Sequence, residues 1–261
     1  MRTPLVRLGI RVRADRAEVA LAQLLPLLAG GAEERAVGDA VEYSLYAPAG
    51  ELPRRSEIAA LVGDALLDVV SEPVPAGWER RWHDFLKPVR VGEIVVRPPW
   101  IAGADDDLVV DPGVYFGAGT HPTTQLCLEL LQEIEPRGPL CDWGAGTGVL
   151  AIAAARLGWE PVTAVEIDAG ALETISLNAA TNRVAVTTRW MDLTKTPAPW
   201  TPVAIANLPR TVLVQVLIER TPELLIASGV LAREASEVAS AFGLREQERR
   251  THGDWAAVVL A

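Results

Sequence analysis

The run Asp142-Trp143-Gly144-Ala145-Gly146-Thr147-Gly148 carries the strongest chemical signal in the chain. It lies where an apolar stretch, 139–143, meets an alanine-rich one, 147–157. Gly144 and Gly146 let the backbone turn tightly and approach a ligand with no Cβ in the way. Ligands of open α/β sheets bind at the carboxyl ends of such strands. A dinucleotide loop reads G-x-G-x-x-G, whereas these glycines read G-A-G-T-G with Asp142 ahead of them. About 20 residues further on, Glu166 ends a second apolar run, where a carboxylate can accept hydrogen bonds from both hydroxyls of a ribose. A surface carboxylate is the bland alternative, and the compound spacing weighs against it. Together the loop and the acid imply an adenosine-containing ligand. Asp168 reads instead as the cap of the next helix.

Asn207 ends another apolar run, Ile205-Ala206-Asn207-Leu208-Pro209. Its amide oxygen can accept a hydrogen bond from an amine and hold the nitrogen lone pair in one direction. Pro209 makes Leu208 extended, so the Leu208 carbonyl can aim at the same nitrogen. Asparagine and proline are also common turn residues. Beside a nucleoside loop the functional reading is favoured. Upstream, Tyr115-Phe116-Gly117-Ala118-Gly119-Thr120-His121-Pro122-Thr123-Thr124 is a polar loop entering a helix. Thr123 and Thr124 can cap that helix or donate to a ligand carboxylate. His121 has no Ser, Cys or second His as a sequence partner, so it reads as a loop-ordering residue rather than a general base. His83 and His252 lack metal-like partners, and the two cysteines, Cys127 and Cys141, sit in apolar runs. No metal site is expected.

These residues need a scaffold, and the chain from 139 onward supplies the pattern for one. Strands at 139–143, 161–167, 185–190 and 203–206 alternate with helices at 147–157 and 169–180. That alternation predicts right-handed crossovers and a parallel sheet covered on both faces. A final strand, 255–261, is expected to close the sheet. The first 75 or so residues read as a small α+β unit of order β-α-β-α-β, with strands at 8–13, 40–46 and 66–70 and helices at 14–28 and 55–62. Between them, 76–100 is a proline-broken connector in which Trp78, Trp82 and Phe85 fall at helical spacing and read as packing residues. The expected domains are therefore 1–75, the connector 76–100, and 101–261.

The 261 residues are 49% hydrophobic and 22% charged, which rules out a disordered chain. The net charge of −10 argues against direct binding of nucleic acid, though not against a basic protein partner. No run reaches the roughly 20 apolar residues of a membrane helix, and the start has no secretory leader pattern. A cytoplasmic location is expected, with no membrane contact.

The motifs resemble a known family. The run Phe116-Gly117-Ala118-Gly119-Thr120-His121-Pro122-Thr123-Thr124, the stretch from Asp142 to Ala154, and Ala206-Asn207-Leu208 are similar to the ribosomal protein L-eleven methyltransferases, the PrmA family. Trp78-Glu79-Arg80-Arg81-Trp82 and Gly229-Val230-Leu231-Ala232 resemble it too. The resemblance implies S-adenosyl-L-methionine as methyl donor and a class I, Rossmann-like seven-stranded methyltransferase sheet. It also implies a ferredoxin-like N-terminal domain that presents a ribosomal protein. The family's donor-contacting positions fall on Thr124, Gly144, Glu166 and Asn207, and Asp142 and Gly146 of the same loop are expected to bind the donor as well. Asn207 and Leu208 would orient the amine. The implied reaction transfers methyl groups to lysine side chains or an N-terminal amine. The chain departs from the family at Ala118, Ala145, Glu166 and Pro209, and its turn at Ser228-Gly229 is shortened, which predicts an abbreviated sheet edge there. Asn207-Leu208-Pro209 also resembles the loop of nitrogen methyltransferases acting on bases or glutamine. Another protein, a nucleic acid or a small molecule is therefore an alternative substrate, and a non-catalytic adenosine-binding module is a third reading.

Overall fold

Arg7, Arg11 and Arg13 alternate with Leu8, Ile10 and Val12, so the first strand must bury one face and leave the other to charge. The structure, a computed structural model, describes residues 5–24, 27, 33–48, 50, 52–74, 86–113 and 115–261. It divides into two units, Met1–Phe85 and Leu86–Ala261. The expected aromatic stripe at Trp78, Trp82 and Phe85 lies outside the described residues.

The first unit runs β1 (Leu5–Arg13), α1 (Ala17–Leu24), β2 (Glu33–Val37), β3 (Ala40–Pro48), α2 (Arg55–Val62) and β4 (Leu66–Pro73). Its sheet has the order β2-β3-β1-β4, with every neighbour antiparallel. Leu8, Ile10 and Val12 are buried with Tyr43, Leu45, Leu24 and Ile58. Tyr43 ties sheet to helix, its hydroxyl donating to Ala17 O at 2.9 Å. On the opposite face Glu42 is fully buried among Arg7, Arg11 and Arg35. Burial alone would raise its pKa, but the guanidinium partners outweigh that and hold it below the usual range. The sequence pattern gave one strand between the helices, and the structure has two. Glu33-Glu34-Arg35-Ala36-Val37 shows no apolar alternation and is held at the sheet edge by pairing with β3 across the Gly38–Asp39 turn.

The second unit opens with a small sheet of β5 (Val89–Val91), β6 (Ile94–Arg97) and β7 (Leu108–Val109). Residues 86–100 thus join this unit through strands that their flanking prolines concealed. There follow α3 (Pro122–Glu133), β8 (Leu140–Trp143), α4 (Val149–Leu157), β9 (Val162–Glu166), α5 (Ala169–Thr181) and β10 (Thr187–Trp190). The chain then passes through β11 (Val203–Asn207), α6 (Arg210–Leu213), β12 (Leu224–Leu231), α7 (Ala235–Phe242), β13 (Glu246–His252) and β14 (Trp255–Leu260).

Seven strands form one sheet in the order β10-β9-β8-β11-β12-β14-β13. The first five are parallel, and β14 is antiparallel to both neighbours. Leu140, Cys141, Ala164, Val165, Ala204, Ile205 and Ala206 are wholly buried, as continuous apolar strands covered on both faces should be. The chain reverses its direction of travel between β8 and β11, which places a crevice at their carboxyl ends. Two expectations need correction. The last strand does not close the sheet, because β13 pairs outside it; Glu246-Gln247-Glu248-Arg249-Arg250-Thr251-His252 is an edge strand with no apolar face to betray it. The Ser228-Gly229 turn does not shorten the sheet either, since β12 runs through both residues with a bulge against β14. Among the described residues no helix is long and apolar enough to cross a membrane.

Candidate active site

Gly144, Gly146 and Gly148 all adopt positive φ, at 73°, 54° and 82°. The loop turns back under β9, with Gly144 N–H and Ala145 N–H donating to Val165 O at 2.9 and 3.1 Å. The space that a Cβ would take is already used by the chain itself. At Gly144 it is occupied by Leu208 Cδ2, and at Gly146 by the Phe116 carbonyl oxygen, 2.5 Å away. The glycines therefore admit neighbouring protein segments first, and these shape the crevice.

Asp142 faces inward. It is 1% exposed, and its Oδ2 accepts the Ala151 N–H at 3.0 Å, bracing the end of β8 on the first turn of α4. Burial pushes its pKa up to about 7, against the opposing hydrogen bond. Glu166 lies at the rim. Its Oε2 accepts Gly146 N–H at 3.0 Å, and its Oε1 accepts Ile167 N–H at 2.7 Å and Asp168 N–H at 3.1 Å. A carboxylate has about four acceptor positions, so these bonds lock its orientation and leave one on Oε2. The sequence reading had both ribose hydroxyls arriving here. Asp168 caps α5 as expected, accepting from Gly170 and Ala171 N–H at 2.7 and 3.2 Å.

Across the crevice, Asn207 Nδ2 donates to Thr124 Oγ1 at 3.3 Å. Thr124 is wholly buried in the first turn of α3. Because the amide nitrogen is directed at Thr124, the amide oxygen is the end left to meet another group. Leu208 lies between two glycines. Its side chain fills the space over Gly144, and its backbone fills the space over Gly229, where a Cβ would sit 2.6 Å from Leu208 C and overlap Leu208 O. Leu208 N–H donates to Ser228 O at 3.2 Å.

The loop before α3 covers the glycine turn. Phe116 O accepts Thr147 N–H at 3.0 Å, and Thr147 Oγ1 donates to Gly117 O at 2.9 Å. His121 is the N-cap of α3. Its Nδ1 accepts the Thr123 N–H at 3.3 Å, and the Thr123 hydroxyl lies 2.8 Å away. The ring packs edge-on to Phe116 and Trp255. Burial lowers its pKa to about 4. A neutral capping ring orders the loop, as the sequence suggested, and the cap that Thr123 or Thr124 was expected to supply comes from His121. Burial also raises both thiols, Cys141 to about 12, which disfavours the thiolate that a nucleophile needs.

The profile of the family described as ribosomal protein L11 methyltransferase (PrmA) matches residues 60–261. The chain belongs to this family. It is 36% identical over 198 residues to the ribosomal protein L11 methyltransferase of Heliobacterium modesticaldum, covering 70% of this chain and 63% of that protein. It is 37% identical over 215 residues to the enzyme of the same name from Geotalea uraniireducens, covering 69% and 66%. The chain thus spans just under two thirds of these relatives. A solved structure, the ribosomal protein L11 methylase of Lactobacillus delbrueckii subsp. bulgaricus, superposes with a TM-score of 0.56 at 21% identity, over 67% of this chain and 97% of that one. That likeness establishes the class I methyltransferase fold.

Within this PrmA-family chain, three supporting residues escaped the sequence reading. Asn178, on α5 and 3% exposed, donates to Asp111 O and Thr147 O, both at 3.0 Å, and accepts Asp111 N–H at 2.9 Å. One turn on, Asn182 accepts Val109 N–H at 2.9 Å and donates to Val109 O at 2.7 Å. The pair fastens the backbone leading into the covering loop onto α5. Their i, i+4 spacing was visible, but asparagines in a helix carry no partner in the sequence. Gly229 is the third. It stood in the family resemblance without a role, and its φ of 84° and contact with Leu208 give it one.

Proposed function

We propose that this chain is an S-adenosyl-L-methionine-dependent methyltransferase acting on amino groups of ribosomal protein L11, at lysine side chains, an N-terminal amine, or both. The observation that carries the reading is the pairing of two strand ends at the sheet reversal. On one side Glu166 is locked onto the glycine loop, and on the other Asn207 has its amide nitrogen tied to Thr124. The donor set suits the cofactor: an oriented carboxylate with a spare acceptor position for a ribose hydroxyl, next to a loop of positive-φ glycines.

When bound, S-adenosyl-L-methionine supplies a methyl group on a positively charged sulfur. Glu166 Oε2 would receive a ribose hydroxyl, and Gly144 and Gly146 would form the loop beside it. Thr124 keeps the Asn207 oxygen toward the crevice, where it accepts an N–H of the substrate amine. Asp142 acts from behind as a brace. The amine must be neutral, although an unperturbed lysine has a pKa near 10.4 and an α-amine near 8. Exclusion of water lowers both and frees the lone pair. Alignment and desolvation are thus the main tasks of these residues.

The first unit would grip the ribosomal protein, a basic partner for a chain carrying −10. Such a substrate implies a cytoplasmic location. Pro209, with φ −52° after Asn207-Leu208, favours a second reading in which the nitrogen belongs to another protein, a nucleic acid or a small molecule. Incubation of the purified chain with methyl-labelled donor and either purified L11 or a cell extract, followed by mass spectrometry, tests both. Label on amines of L11 is the expected result. Label confined to RNA or small molecules would replace the first reading with the second, and no incorporation would defeat both.

A further inference from the structure

We propose that Gly229 is a positioning residue for methyl transfer, setting the place of the Asn207-Leu208 turn. The proposal rests on the methyl-transfer reading above. Gly229 lies at the β12 bulge, where pairing with β14 shifts register between Ser228 and Val230. Its φ is 84°, and the three atoms nearest a Cβ there would all be backbone: Leu208 O, Leu208 C at 2.6 Å and Leu208 N at 3.0 Å. Such a contact cannot be relieved by turning a side chain. The Leu208 peptide would have to lift off β12.

Leu208 has little room to lift without consequences. Its N–H donates to Ser228 O, the residue before the glycine, at 3.2 Å. Asn207 pairs directly with Ser228 in the parallel ladder. On its other side the Leu208 side chain occupies the space left by the absent Cβ of Gly144, in the glycine loop. The turn is therefore seated between two glycines, one in each half of the crevice. Displacing it moves the Asn207 amide and the Leu208 carbonyl together relative to the glycine loop. Ser228 holds the seat from below: it is wholly buried, and its hydroxyl donates to Ala256 O at 2.8 Å.

Gly229→Ala adds two costs at once, a positive-φ side chain and the overlap with Leu208. Gly243 and Gly253 separate them. Both have positive φ, 64° and 58°, and open space where a Cβ would go. Gly243→Ala and Gly253→Ala therefore carry the backbone cost alone. In single-turnover methylation at saturating donor, Gly229→Ala should be at least tenfold slower than the intact chain. Its donor affinity by calorimetry should change less than threefold, and the two control variants should keep the full rate. A Gly229→Ala rate equal to that of the controls would overturn the proposal.

Ser228→Ala loosens the same seat without a clash and covers the case in which Gly229→Ala does not fold. It should slow transfer about threefold with donor affinity unchanged, and an unchanged rate would overturn the proposal. A readout independent of activity separates this from failure of the methyl-transfer reading. The Asn207 side-chain NH2 resonance, assigned by its loss in Asn207→Ala, should shift in Gly229→Ala or Ser228→Ala and stay in place in Gly243→Ala. A resonance that stays in place in all of them would overturn the positioning role even in a chain that methylates nothing.

Discussion

Replacing Glu166 by glutamine should damage donor binding nearly as much as removing the side chain. The reason lies in the three backbone N–H groups that the carboxylate accepts, Gly146 on Oε2 and Ile167 and Asp168 on Oε1. An amide has one oxygen and one NH2. If its oxygen takes the Ile167 and Asp168 pair, the NH2 faces the Gly146 N–H, donor against donor. If it is flipped, the NH2 opposes two N–H groups. Only the flipped orientation keeps an acceptor where Oε2 now lies, and it does so with the NH2 set donor against donor to the Ile167 and Asp168 N–H groups. The lost interaction is a hydrogen bond to a charged group, worth about 1.5–3 kcal/mol. That corresponds to a roughly 10- to 150-fold weaker Kd. Glu166→Ala should fall in the same range, because Ile167 and Asp168 are exposed and water can serve their N–H groups. Calorimetric titration with S-adenosylhomocysteine, beside circular dichroism to verify folding, measures both variants. A Glu166→Gln Kd within twofold of the intact chain would refute the argument, since an amide would then serve the loop and the ligand as well as the carboxylate does.

Asn207→Ala should slow single-turnover transfer by roughly 100-fold and by more than it weakens donor binding, because it removes the acceptor that orients the amine; an unchanged rate would reduce Asn207 to a turn residue. His121 has a folded pKa near 4 against 6.5 for the free ring, so the unfolded chain binds the extra proton between those values. Its contribution is fully present above pH 6.5 and is lost as pH falls toward 4, up to about 3 kcal/mol. His121→Asn keeps a capping side chain without titrating, so chemical denaturation should show it gaining on the intact chain as pH drops from 6.5 to 4; parallel curves would contradict this. Asp142 runs the other way, with a folded pKa near 7 above 3.8, so its folded form holds the extra proton and stability rises as pH falls from 7 toward 3.8. Asp142→Asn should therefore be most favourable relative to the intact chain above pH 7, and a difference that does not vary with pH would show that Asp142 does not titrate there. Finally, salt should slow methylation of L11 at low substrate concentration and matter little at saturation, as expected for steering between opposite charges; equal slowing at both would point to an effect on the chemistry instead.

Much of this protein is local, and what is local was readable. The alternation in β1 fixed which face is buried, because side chains in a strand point to opposite sides in turn. The apolar runs of β8, β9 and β11 announced strands covered on both faces. Asp168 was recognisable as a cap because its partners, the N–H groups of Gly170 and Ala171, are two and three residues away. The glycine loop and Glu166 could be related because a strand-turn-helix-strand unit has a nearly fixed length. Other features have no local cause. Glu33–Val37 and Glu246–His252 are strands because β3 and β14 offer them backbone partners, and an edge strand needs no apolar face. Asn207 meets Thr124 from 83 residues away, and Asn178 meets Asp111 from 67. Gly144 and Gly229 are 85 residues apart in sequence by their numbers, yet both serve one leucine. Such pairings depend on which strands become neighbours when the sheet reverses direction. That choice is set by the burial of the whole core, so no single residue or motif carries it.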